Sequence, residues 1–154
     1  MQRPDEALVL RFFDEVLQRR DLAVVTDVFS PDVLDHRQEG MVRGVDALSG
    51  SVRRFLGAFP DLSIAIHGIA VQSPLVMVWH TWRGTHVEGF AWLGRRREQA
   101  IECVSVFRSE AGRLAERWEY VSPRDVDRSL RGPSALANWS LVVPGERPSL
   151  RIRW

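Results

Sequence analysis

VMVWHTWRGTHVEGFAW, from Val76 to Trp92, gathers three of the chain's six Trp and two of its four His into a pattern that reads as strand, turn, strand. Side chains alternate across a strand, so His80 and Trp82 share one face with Val76 and Val78, while Trp79 and Arg83 share the other with Met77 and Thr81. Neither face has the polar composition of a solvated surface. Such a strand belongs inside a sheet covered on both sides, and a ligand is a candidate for one of the covers.

Further strands are expected on either side of it, at Ser63 to Val71, Gln99 to Arg108 and Arg113 to Tyr120. Turn signals at Ser73-Pro74, Gly89 to Gly94 and Glu110-Ala111-Gly112 separate the four into an antiparallel meander. Upstream the period changes. Leu8, Phe12 and Val16, with Val9, Phe13 and Leu17, form a broad helical stripe over Ala7 to Arg19. Asp21 is placed to cap a short helix through Val28, and Ser30-Pro31-Asp32 breaks it before an extended segment, Val33 to His36. A third helix runs from about Val45 to Phe59, where Pro60 ends it, because the residue before a proline is driven out of the helical region. Helices followed by long strands predict an α+β fold, with the helices gathered on one face of a curved sheet and a cavity between. After Ser122-Pro123 the pattern weakens. Residues 1–122 are taken as one domain and 123–154 as an extension whose Trp139 and Trp154 call for cover by the domain or by a partner subunit.

The composition narrows the chemistry. All 21 basic side chains are Arg, against 20 acidic ones. Without Lys, no side-chain Schiff base can form, so carbon chemistry must run through acid, base or electrostatic assistance. A net charge of +1 with the signs interspersed gives no field for nucleic acid. The single Cys103 excludes an internal disulfide and, in the apolar run IECVSVF, reads as a buried inert thiol. No stretch approaches the roughly 18 apolar residues of a membrane span, and the start carries no secretory pattern. The expectation is a cytoplasmic protein without membrane or nucleic-acid partners.

Four pieces in order, AFPDL at Ala58 to Leu62, RGTH at Arg83 to His86, VFR at Val106 to Arg108 and GRLAERW at Gly112 to Trp118, follow an N-terminal amphipathic helix. Together they resemble the SnoaL-like polyketide cyclases, of the superfamily that includes nuclear transport factor 2 and ketosteroid isomerase. The resemblance covers about residues 5 to 122. It implies a cone-shaped α+β fold around an apolar pocket, a homodimer formed through the outer sheet face, no cofactor and no metal, and an apolar small-molecule substrate. Cyclases of this kind close rings by intramolecular aldol reaction. Relatives isomerise ketosteroids, act on epoxides or bind small molecules without chemistry, so the resemblance leaves those readings open. The cyclases carry an acid/base Asp shortly after the Trp that matches Trp118. Here Ser122 stands at that spacing, Tyr120 stands where epoxide-hydrolase relatives have theirs, and Asp125 follows only beyond Pro123.

Proton-transfer candidates must therefore be found elsewhere in the chain. His80 leads, as an imidazole beside Trp82 in the middle of a pocket-forming strand, with a backbone-bonded core histidine as the alternative. Glu102 and Glu116 fall inside apolar strand patterns where an unpaired charge is expensive. Glu116 shares a face with Trp118 and with Tyr120, a possible oxyanion donor; an ion pair with Arg108 or Arg83 is the competing reading. His36 ends the extended segment at the place where the resemblance puts the base of ketosteroid isomerases. His86 and His67 read as structural, with a bend or bulge at Gly84. Trp82, Trp118, Phe55, Phe59, Phe90 and Trp92 are the candidates for gripping an apolar, aromatic or polycyclic ligand.

Overall fold

The computed structural model describes residues 3–37, 40–87 and 97–121. Helix α1 (Pro4–Arg11) starts on a proline whose missing N–H costs nothing in a first turn, with Asp5 and Glu6 beside the positive end of the helix dipole. It runs without a break into a π-helical segment, Phe12–Gln18. Val9, Phe12, Phe13, Val16 and Leu17 are buried along it, the stripe expected from the sequence. Arg20 then takes a left-handed conformation, φ 61°. Its guanidinium donates to the carbonyls of Leu56, Phe59 and Pro60 at 2.9, 2.6 and 2.8 Å, and so ties the end of the first helix to the end of another. Asp21 accepts from Ala23 N at 3.1 Å and caps a 3₁₀ turn, Leu22–Val24, that leads into α2 (Val25–Val28).

Strand β1 (Phe29–Arg37) begins earlier than the sequence suggests and passes through Pro31. Its parallel pairing with the last strand is interrupted between Phe29 and Leu34, so the proline, which has no N–H to give, sits where the ladder is irregular. Strand β2 (Gly40–Arg43), which the sequence does not announce, pairs antiparallel with β1. Gly44, at φ 91°, makes the left-handed entry into α3 (Val45–Ala58). Strands β3 (Ser63–Gln72), β4 (Leu75–His86), β5 (Arg97–Glu110) and β6 (Arg113–Val121) form the expected antiparallel meander. Among the described residues the sheet has six strands in the order β2-β1-β6-β5-β4-β3, and the helices cover its concave side. The α+β cone expected from the sequence is the architecture found.

Burial alternates along β4: Val76, Val78, His80, Trp82, Gly84 and His86 face inward, and Trp79 is 46% exposed on the other side. Gly84 marks no bulge, for its pairing with Gln99 lies in an unbroken register. It permits a close approach instead. A Cβ there would lie 3.2 Å from both Phe59 Cδ1 and Asp61 Oδ1. Asp61 accepts from Thr85 N at 2.6 Å and Thr85 Oγ1 at 2.8 Å, and Val87 N donates to Ala58 O at 2.9 Å, so the end of α3 is docked onto the end of β4.

Strand β6 has the opposite story. Leu114 pairs with Ser109 and Glu116 with Arg108, so one extra residue, Ala115, is accommodated in β6. That bulge exchanges the two faces of the strand beyond it. Leu114 is inward before it, and Arg117, Glu119 and Val121 are inward after it, opposite the inward Phe107, Ser105 and Cys103. Glu116, Trp118 and Tyr120 are turned outward.

Candidate active site

The helices and the concave face of the sheet line a cavity of about 110 Å³. Phe12, Phe13 and Leu17 of the π-helical segment, Val52 and Phe55 of α3, and Ile64 of β3 give it apolar walls. Its polar wall is made by His80 and Trp82 of β4, Arg37 of β1, and Arg117 and Glu119 of β6.

His80 is 3% exposed. Its Nε2 lies 3.0 Å from Ser105 Oγ on the neighbouring strand, and the Phe13 ring meets it edge-on with centroids 4.9 Å apart. Burial, reinforced by the Arg117 cation, pushes the imidazole down to about 4. It is therefore neutral at pH 7, and Nδ1 has no hydrogen-bond partner among the described residues. With Nε2–H donated to Ser105, the neutral ring keeps its lone pair on Nδ1 for a proton, and the same burial and Arg117 cation that hold it neutral make it a weak base.

Charge is carried by a ladder across the parallel β1–β6 pair, where Asp35 stands opposite Arg117. Asp35, fully buried, takes Arg37 on Oδ2 and Arg117 Nη1 on Oδ1 at 3.4 Å. Arg117 gives its Nη2 to Glu119 Oε2. Two guanidinium groups and two carboxylates thus compensate one another, the arrangement a buried charge requires. Burial lowers the Arg117 pKa from its ordinary value and Asp35 opposes that shift. The Arg117 guanidinium also lies 5.4 Å over the Phe12 ring and 6.0 Å from Phe107.

Of the sequence candidates, His80, Trp82 and Phe55 meet at this cavity. Phe59 is buried beside it, its ring 4.8 Å from that of Trp82. Glu116, Tyr120, Trp118, His36 and Glu102 do not join them, because all five lie on the outer face of the sheet. Glu116 has the Arg108 partner considered for it, at 3.0 Å, and also pairs with His36 Nε2 at 2.7 Å. His36 stacks on Trp118 with ring planes 4° apart and centroids at 5.1 Å. Tyr120 is 41% exposed, and Glu102 stands opposite Thr81 on the exposed side of β4 and β5. The convergence of His80 with Glu116 and Tyr120 on one cavity is thus corrected by the β6 bulge, and that of His36 by the inward setting of its neighbour Asp35. Phe90, Trp92, Ser122 and residues 123–154 lie outside the described residues.

Sequence reasoning missed Asp35, Arg37, Arg117 and Glu119. A signal for the last two was present: Leu114 and Val121 are both apolar strand residues yet stand an odd number of positions apart. They can face one core only if the strand holds an extra residue. Among the described residues no group of three or more His, Cys, Asp or Glu is placed to hold a metal ion, and no helix is long and apolar enough to cross a membrane.

The model of the SnoaL-like polyketide cyclases matches residues 7–128. The chain belongs to that family. Among solved structures, a protein of Jannaschia sp. CCS1 described as a SnoaL-like polyketide cyclase is 19% identical with a TM-score of 0.74, over 84% of this chain and 93% of the other. A protein of Acidithiobacillus ferrooxidans described as a polyketide cyclase is 20% identical with a TM-score of 0.69, over 85% and 96%. IdmH of Streptomyces antibioticus, also described as a polyketide cyclase, is 19% identical with a TM-score of 0.68, over 82% and 98%. At these identities the likeness is one of fold. No curated protein matches this chain in sequence. Among the described residues, the carboxylate that follows Trp118 and lines the cavity is Glu119.

Proposed function

We propose that this chain is a cofactor-independent cyclase or isomerase that acts on an apolar, polyketide-like small molecule by moving protons inside the cavity. The observation that carries this reading is the neutral His80 imidazole on the cavity wall, buried against the Phe13 ring with Nδ1 unpartnered among the described residues. Such a base removes a proton from the carbon beside a carbonyl group. The proton passes to Nδ1 and the electron pair to the enolate. Ring closure then forms the carbon–carbon bond at a second carbonyl carbon, and the resulting alkoxide takes the proton back from His80, leaving the enzyme unchanged. Arg117 supplies a positive charge near the developing anion, and Glu119 restrains that guanidinium on the cavity wall.

The test is turnover of a linear aromatic substrate bearing a 1,3-dicarbonyl chain, followed by the absorbance change on ring closure. His80→Ala is expected to lower kcat by about 10²–10⁴-fold while circular dichroism stays that of the parent. Turnover equal to the parent's would remove His80 from the chemistry and leave the cavity a binding site. The same reading includes a homodimer through the outer sheet face, supported by the exposed Trp79 and Tyr120 and the His36–Trp118 stack on that side.

A further inference from the structure

Reaction at a carbonyl group needs a donor for the oxygen as well as a base for the carbon, and Tyr120, the donor suggested by the sequence, is on the wrong face of the sheet. Trp82 offers another. It lines the cavity, is 3% exposed, and its indole Nε1 has no hydrogen-bond partner among the described residues. An indole N–H can only donate, so an acceptor is what the position lacks among the described residues. Burying it without one carries a desolvation penalty that phenylalanine would avoid at the same site. Phe55 and Phe59 hold the ring, the first edge-on at 84° with centroids 5.4 Å apart, the second at 60° and 4.8 Å. The indole is therefore fixed in place before any ligand arrives, which is what an oxyanion donor requires.

Its position relative to the base also fits. Trp82 is two residues beyond His80 on the same face of β4, about 6–7 Å along the strand. A carbonyl group lodged between them can give its oxygen to the indole while the neighbouring carbon faces the imidazole. Arg117 is less suited, because its two terminal nitrogens are already committed to Asp35 and Glu119.

We infer that Trp82 is a catalytic residue of the cavity, its indole N–H holding the carbonyl and then the enolate oxygen of the ligand beside His80. This rests on the proposed function for the enolate step but not for the binding of the oxygen, and the experiment separates the two. Purified protein is titrated with 2-naphthol, a planar ligand with one enolate-like oxygen, and with naphthalene, which has none. The indole N–H resonance of Trp82 is assigned by its disappearance in Trp82→Phe.

The expected result is a downfield movement of that resonance with 2-naphthol and not with naphthalene, together with a tenfold or greater loss of 2-naphthol affinity in Trp82→Phe and unchanged naphthalene binding. In turnover, Trp82→Phe is expected to lower kcat by about 100-fold with KM changed less than about threefold. An unmoved resonance at saturating 2-naphthol, or an equal movement with both ligands, overturns the inference. So does full activity of Trp82→Phe in a protein that His80→Ala inactivates, which leaves the proposed function standing. A selective shift in a protein without turnover supports the oxygen site and removes the proposed function instead.

Discussion

His80 joins the stability of the fold to the chemistry of the cavity through one proton. Its folded pKa, about 4, lies below the unfolded value of 6.5. Between those values the unfolded chain binds a proton that the native state refuses, so stability rises with pH across that window and is lost as pH falls from 6.5 toward 4. The loss reaches up to about 3 kcal/mol. Urea midpoints measured between pH 7 and pH 4 should fall accordingly, and His80→Leu should flatten that slope. The base form persists over the same range, so the rate is expected to stay level above pH 5 and drop as pH passes through about 4; a drop centred near 6.5 would contradict the burial of the imidazole. Arg117 is the second decisive residue. Arg117→Met removes one of the two partners of the fully buried Asp35 and the ion-pair partner of Glu119. A destabilisation of about 3–5 kcal/mol is expected in urea unfolding, the cost of breaking a buried pair from one side.

The elements differ in how openly their sequences declare them. The first helix and α3 are legible because apolar residues recur at helical spacing and Pro60 supplies a stop. Strand β4 is legible because its inward residues alternate without interruption from Val76 to His86. Three features were hidden for stated reasons. Pro31 reads as a break but lies within β1, at a gap in its ladder with β6. Gly84 reads as a bulge, yet it is a contact point where any larger residue meets Phe59 and Asp61. Gly84→Ala should accordingly cost about 1–3 kcal/mol, visible as a lowered melting temperature, with β4 still paired to β5. In β6, RLAERWEYV places charges on both faces, so the charged residues do not reveal parity; only the odd spacing of Leu114 and Val121 marks the bulge at Ala115 that fixes the inward set. His80, Trp82 and Phe55 were found because β4 and α3 keep a regular period. Glu119 and Arg117 were not, because β6 departs from one.

At the scale of the whole molecule, the sheet has two working faces. The concave one is covered by helices around a cavity with compensated charges, and the other carries Trp79, Tyr120 and the His36–Glu116–Arg108 chain. If two copies meet there, Trp79→Glu places a charge in the contact. Analytical ultracentrifugation is expected to show a dimer for the parent and a monomer for that variant, with the cavity-facing residues undisturbed; a parent that sediments as a monomer would refute the pairing. The bulge in β6 has a wider implication. Because it decides which alternate residues reach the interior, the gain or loss of a single codon in that strand would trade the cavity's charged residues for those of the exterior at one stroke. New chemistry can therefore arise in chains of this shape without any existing side chain being replaced.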